Sequence, residues 1–321
     1  MGVRRTPAEP PSSIVHRPSS IVSSRGQIVR LYADVATVQL GERMVQCPIR
    51  GKPFKTDPPA VGDWVELGES HDPPVISALL PRKSVLARRA AGTVPRRHVL
   101  VANVDQVIVV FAAANPEPHT AMLDRFLVVA EDDDLEAHVV VNKTDLADKE
   151  EIRALFAPYE KAGYRVHYTS VRTREGLEEL RETLNGKESV FVGPSGAGKS
   201  SLLNALYPGL GLKVGQVSEA YGKGRHTTVG GLLIRLPGGA AVADTAGLRE
   251  LGLWMIPPAD LPHCFPEFRP YLGRCRFSDC AHLSEPGCAI RAAVEAGDID
   301  ESRYTSYTKL RAEAAATWPR W

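Results

Sequence analysis

The chain of 321 residues carries almost no net charge, with 39 lysines and arginines against 38 acidic residues. A balance of +1 removes any argument for nucleic-acid binding from overall basicity, so charge must be judged locally. No apolar run approaches the length of a membrane span, and no membrane partner is expected. Residues 1–25 hold no apolar leader core, so no secretory signal is expected. Cysteine is scarce, five residues in all. With the phosphate-binding motif described below, that points to the reducing cytoplasm and against a disulfide scaffold. The 43% hydrophobic and 24% charged content is that of a soluble chain, long enough for two or three domains with real cores.

Gly193-Pro194-Ser195-Gly196-Ala197-Gly198-Lys199-Ser200 fills every fixed position of a P-loop, G-x-x-x-x-G-K-[ST]. An apolar run to Val192 precedes it as a strand, and Lys199 to Leu206 reads as a helix. The glycines let backbone N–H groups curl around anionic oxygens, and the helix N-terminus adds its positive end. Lys199 is expected on the β- and γ-phosphates and the Ser200 hydroxyl on Mg²⁺, with Ser201 completing the site. Asp244-Thr245-Ala246-Gly247 ends a short apolar strand downstream. There Asp244 holds Mg²⁺ through water and the Gly247 N–H meets the γ-phosphate. Between them, Gly222-Lys223-Gly224-Arg225-His226-Thr227-Thr228 reads as a switch loop whose threonine, Thr228 in preference to Thr227, closes over Mg²⁺.

Asn142-Lys143-Thr144-Asp145 is the NKxD box that reads guanine. The Asp145 carboxylate accepts from guanine N1–H and N2–H₂ together, a donor pair that adenine lacks. Asn142 touches N7 or ties the box to the P-loop, and the stem of Lys143 covers the base. Tyr168-Thr169-Ser170-Val171, after the next strand, places the Ser170 backbone toward guanine O6. The order is unusual: the base motif comes about fifty residues before the P-loop, the reverse of an ordinary GTPase. That order narrows the chain to circularly permuted GTPases.

The flanks are organised differently. Residues 1–24, with the repeat Pro11–Val15 and Pro18–Val22, are expected to be a disordered tail. Five short strands between 25 and 81 suggest an OB-type β-barrel, or an SH3-like β-module. Strands and helices then alternate from 85 to 251, predicting a doubly wound α/β domain. From 252 to 321 the chain is irregular and then helical. There Cys275-x₄-Cys280-x-His282-x₅-Cys288 is the closed tetrahedral set of one structural Zn²⁺ per chain. Such a metal orders a segment with little core of its own.

Together these motifs resemble the family of ribosome small-subunit-dependent GTPase A, bacterial ribosome-maturation GTPases, over about residues 25–300 and in the same domain order. The resemblance implies GTP hydrolysis at a late step of 30S maturation, stimulation by the subunit, and 16S rRNA contact through the OB and zinc domains. A monomer binding GTP and GDP is expected. The chain departs from the family at Val229, where a third switch threonine is frequent, and residues 1–24 match nothing in it. A further absence matters for catalysis. Leu248 stands directly after the D-x-x-G, where Ras-like enzymes place a water-orienting Gln. His226 is the nearest replacement, and the resemblance points to it as well. Arg82, Lys83, Arg88, Arg89, Arg96 and Arg97, with no acid among them, form a local basic run suited to phosphate contact on a loop. The alternative reading is a GTP-dependent switch on a protein target without RNA.

Overall fold

The computed structural model describes residues 24–32, 34–49, 54, 57–68, 73–89, 97–212, 231–245 and 256–318. Its centre is a sheet built on β8 (Gln106–Ala112), whose seven residues are all buried. That run of Val, Ile and Phe is what a parallel strand covered on both faces requires. β9 (Glu136–Asn142) and β10 (Arg165–Tyr168) lie on one side of it, and β11 (Glu188–Val192), β13 (Ala241–Thr245) and β12 (Gly231–Arg235) on the other. The pairs from β10 through β13 are parallel, and β12 turns antiparallel to β13. Side chains alternate between two cores. Val107, Val109, Phe111, Val139 and Val141 meet α1 (Thr120–Asp132) and α2 (Lys149–Lys161). Ile108, Val110, Val140 and Phe191 meet α3 (Leu177–Leu184) and α4 (Lys199–Leu206). This is the doubly wound α/β unit expected, and it sends β9, β10, β11 and β13 toward one ligand-binding edge.

The N-terminal strands β1 (Ser24–Tyr32), β2 (Val35–Leu40), β3 (Arg43–Pro48), β4 (Trp64–Gly68) and β5 (Val75–Leu79) pair in the order β3-β2-β1-β4-β5. With β5 packed against β3, they curl into a small barrel filled by Ile28, Ala36, Val38, Cys47, Val65, Leu67 and Ile76. Each contributes alternate positions inward, as period-two patterning demands. The barrel is continuous with the central sheet. Arg30 and Leu31 of β1 pair with Leu232 and Gly231 of β12. A polar cluster reinforces the seam. Gln27 Nε2 donates to Glu188 Oε2 at 3.0 Å, and Arg235 Nη1 to Glu188 Oε1 at 3.1 Å.

The basic run is not the free loop its sequence suggests. β6 (Val85–Arg89) and β7 (Arg97–Ala102) form a hairpin in which Arg88 pairs with His98 and Arg89 with Arg97. Arg82 is committed to the scaffold. Its Nε and Nη2 clasp the fully buried Asp63 at 2.7 and 2.8 Å, and its Nη1 reaches Asp57 at 2.7 Å. Lys83 pairs with Asp105 at 2.7 Å. The acids absent from the run itself arrive from the segments that precede β4 and β8, and a fork–fork Arg–carboxylate pair is strong enough to keep Arg82 there.

The C-terminal part holds 3₁₀ turns at Leu261–Cys264 and Pro266–Tyr271, then α5 (Ala289–Glu295) and α6 (Glu301–Thr317). Among the described residues it forms no separate core. Leu261, Phe265, Phe268, Ile290, Tyr307 and Leu310 join the same cluster as α1 and the central strands. Among the described residues no helix is long and apolar enough to cross a membrane.

Candidate functional site

β11 delivers the chain into the glycine loop, and α4 begins at Lys199. Gly198 has φ 92°, and a β-carbon there would run into Asn142 Nδ2. Gly193, at φ 131°, lies so close to the Val110 carbonyl that no side chain fits. Both positions therefore need glycine for conformation and for space. The Lys199 ammonium is folded into the loop, donating to the carbonyls of Gly193 and Pro194 at 2.7 and 2.8 Å. Ser200 is buried in the first turn of α4. β13 runs parallel to β11, so the backbone of Asp244 reaches the same edge of the sheet. The side chains of Asp244 and Thr245, and all of Gly247, Leu248, His226, Thr227, Thr228 and Val229, lie outside the described residues. So do residues 1–23.

The base motif closes onto the phosphate loop. Asn142 is buried at the end of β9, and its Nδ2 donates to the Ala197 carbonyl at 3.0 Å. Of the two roles expected for Asn142, this is the tie to the P-loop. Thr169 Oγ1 donates back to Asn142 Oδ1 at 3.3 Å. Lys143 adopts a left-handed φ of 63° and donates its ammonium to the Asn115 carbonyl. The loop after β8 thus helps set the stem of Lys143, and Pro116 packs beside Gly196.

Asp145 is held on both oxygens. The Ser170 hydroxyl donates to Oδ1 at 2.6 Å, and Arg172 Nε lies 3.1 Å from Oδ2. The Ser170 backbone N–H donates to the Glu175 carbonyl at 3.1 Å, and its hydroxyl aims the carboxylate. Sequence reasoning missed Arg172 and Asn115. Arg172 was one exposed arginine among many, and Asn115 acts through its carbonyl, which no side-chain pattern reveals.

Cys275, Cys280, His282 and Cys288 come together with all ligand atoms within 4.8 Å of one another. His282 Nδ1 is 3.5 Å from Sγ of both Cys275 and Cys288. Zn–S and Zn–N bonds of about 2.3 and 2.0 Å at a tetrahedral angle predict an edge of roughly 3.5 Å, so the set fits zinc. The Ala289 N–H donates to Cys275 Sγ at 3.3 Å. Burial lowers the pKa of His282, favouring the neutral imidazole a metal requires.

Comparison with known proteins agrees with this geometry. Residues 79–254 match the family model of the RsgA GTPase. The chain belongs to the RsgA GTPase family. It is 55% identical over 257 residues to the small ribosomal subunit biogenesis GTPase RsgA of Gemmatimonas aurantiaca, covering 79% of this chain and 84% of that one. To the protein of the same name from Moorella thermoacetica it is 44% identical over 298 residues, covering 91% and 97%. The crystal structure of YjeQ from Thermotoga maritima superposes with a TM-score of 0.74 at 38% identity, over 92% of this chain and 99% of that one. YloQ, described as a circularly permuted GTPase, gives 0.70 at 30% identity over 95% and 100%. The reversed motif order is therefore a circular permutation, and the chain is a GTP hydrolase.

Proposed function

We propose that the chain hydrolyses GTP to GDP and phosphate during late maturation of the 30S subunit, bound to 16S rRNA and stimulated by the subunit. The Asn142–Ala197 hydrogen bond carries the GTP part of this reading, because it ties the base motif directly to the phosphate loop, as one nucleotide spanning both requires. The names of its relatives supply the small subunit as the partner. In this reading Asn142, Lys143 and Asp145 take the base. The O6 donor is the Val171 N–H, next in the turn after Ser170. Gly193 through Ser201 take the phosphates, with Lys199 neutralising charge. Ser200, Thr228 and Asp244 hold Mg²⁺, and Gly247 meets the γ-phosphate. Zinc sits on the Cys₃His set as a structural ion. The protein is a cytoplasmic monomer with functional parts at 25–81, 85–251 and 252–321.

With Arg82 and Lys83 neutralised, RNA contact falls instead to the outer face of β1–β3. Arg30, Thr37 and Gln46 share one cross-strand row there, and Tyr32 lies beside Val35 in the next. Tyr32 is 51% exposed. A base stacks on such an aromatic while the arginine meets its phosphate. The switch-without-RNA alternative gains from the same neutralisation. Turnover with and without purified small subunits separates the two. Strong stimulation that survives removal of ribosomal proteins' flexible tails supports the RNA reading, and no stimulation sinks it.

His226 is proposed to orient the attacking water, since Leu248 cannot. His226→Ala should leave GTP and subunit binding nearly intact while subunit-stimulated turnover falls roughly 10²-fold, the scale of a lost proton-transfer or water-positioning group. Equal stimulation of the variant and wild type would assign the water to another group.

A further inference from the structure

The loop from Cys280 to Cys288 must hold an awkward shape. His282 has φ 59°, a left-handed conformation that is uncommon for a residue with a β-carbon. In that conformation its ring meets the thiols of Cys275 and Cys288. Glu285 folds its side chain back into this loop. Oε1 accepts the Ala281 N–H at 2.9 Å, and Oε2 accepts those of Leu283 and Ser284 at 2.9 and 3.0 Å. N–H groups converging on one anion around a left-handed residue form an anion nest. Here the anion is supplied by the chain itself.

We propose that Glu285 is a positioning residue for the zinc site, holding His282 in its left-handed conformation so that the loop is set before the metal arrives. The inference rests on the reading of the Cys₃His set as a zinc site. Glu285 does not ligate the metal, because both oxygens are committed to N–H groups and it stands outside the four-residue cluster. The opposite side of the loop is held through its carbonyls. Tyr307 Oη donates to the Ala281 carbonyl at 2.7 Å, and Tyr304 Oη to that of His282 at 2.9 Å. The tyrosines fix acceptors and Glu285 fixes donors, so neither replaces the other.

The three bonds need a carboxylate. A glutamine offers one acceptor oxygen and turns an NH₂ toward another donor. Zinc affinity of the full chain, measured by competition with a chromophoric chelator, should fall about 10–100-fold in Glu285→Ala, the usual effect of removing an outer-shell support. Glu285→Gln should fall less but clearly, and it carries the test if the alanine variant does not fold. Cobalt-loaded variants should keep the wild-type absorption spectrum, because the four ligands are unchanged. Affinity equal to wild type in both variants overturns the role of Glu285, as does an altered cobalt spectrum, which would make it a ligand. A merely structural role would lower the melting temperature of apo and loaded protein alike without changing affinity. A wild-type chain that binds no zinc would overturn the zinc reading as well.

Discussion

Asp145 shows how a single residue's chemistry can be read in sequence while its setting cannot. A carboxylate in an NKxD box announces a guanine reader. Nothing in the sequence announced that Ser170 aims one oxygen at 2.6 Å and Arg172 approaches the other at 3.1 Å. Arg172 is 76% exposed, so its pairing contributes little, and the guanine N–H groups can replace it. The carboxylate accepts from two ring donors only while it remains a carboxylate. Asp145→Asn should therefore weaken GTP binding by about 2–3 kcal/mol, because an NH₂ then faces a donor. Xanthosine triphosphate, with an acceptor in that place, should gain affinity over wild type. Titration of both nucleotides against the variant checks this, and unchanged GTP affinity would remove NKTD from the base site. Gly198 lies at the readable end of the scale. The motif demanded glycine, and the structure supplies the reason in the Asn142 amide that fills the place of a side chain.

Among elements, the buried strands were the most legible. β8, β9 and β11 are runs of Val, Ile and Phe with no competing interpretation. The hairpin β6–β7 was missed because the arginines where its two strands connect masked the alternation of Val85 to Ala87 and Val99 to Val101. β9 and β10 carry a feature with a pH consequence. His138 and His167 are buried side by side, ring centroids 5.7 Å apart. The groups facing them are Glu136, Glu179, Lys187 and Arg165. Glu136 lies 3.0 Å from His138 Nε2, yet neither imidazole makes an aligned hydrogen bond. Burial therefore dominates, lowering the pKa of His138 and taking that of His167 to about 4. The unfolded chain, with histidine near 6.5, binds protons first as pH falls. Stability from these residues is thus complete above about pH 6.5 and is lost progressively down to about pH 4. The loss for His167 alone should be roughly 2–3 kcal/mol. Zinc release adds its own acid sensitivity, so the comparison is between wild type and His167→Val. Urea unfolding from pH 7.5 to 4.5 should give a shallower decline for the variant, whatever its absolute stability. Parallel curves would mean that His167 titrates normally.

At the scale of the whole molecule, the C-terminal part from 252 to 321 looked in sequence like a segment stapled by metal, and its cysteines were readable for that reason. Its apolar residues were visible too, but a sequence does not say which surface covers them. In the fold, Leu261, Phe265, Phe268, Tyr307 and Leu310 complete the core that begins at α1. One buried cation ties the two together. Arg303 on α6 is 1% exposed, pairs through Nε with Glu267 at 2.7 Å, and through Nη1 with Asp124 on α1. Phe265, Tyr159 and Tyr164 surround its guanidinium at 4.8, 5.1 and 5.7 Å. Ser306, one turn along α6, donates to the other oxygen of Asp124. The helix whose tyrosines grip the zinc loop therefore also grips the GTPase domain. Arg303→Met keeps much of the volume but strands two buried carboxylates, at a cost of about 3–5 kcal/mol. The melting temperature should fall by roughly 10 °C, at some 2–4 °C per kcal/mol for a cooperative unit of this size. Adding Asp124→Asn should recover part of the loss, since one stranded charge is then gone. Hydrogen exchange decides whether the shared core has mechanical meaning. In Arg303→Met the amides of α1 and α6 should lose protection together. If α6 opens while α1 keeps its wild-type protection, the zinc-bearing part is only docked, and nucleotide-driven movement in the GTPase domain has no rigid route to it.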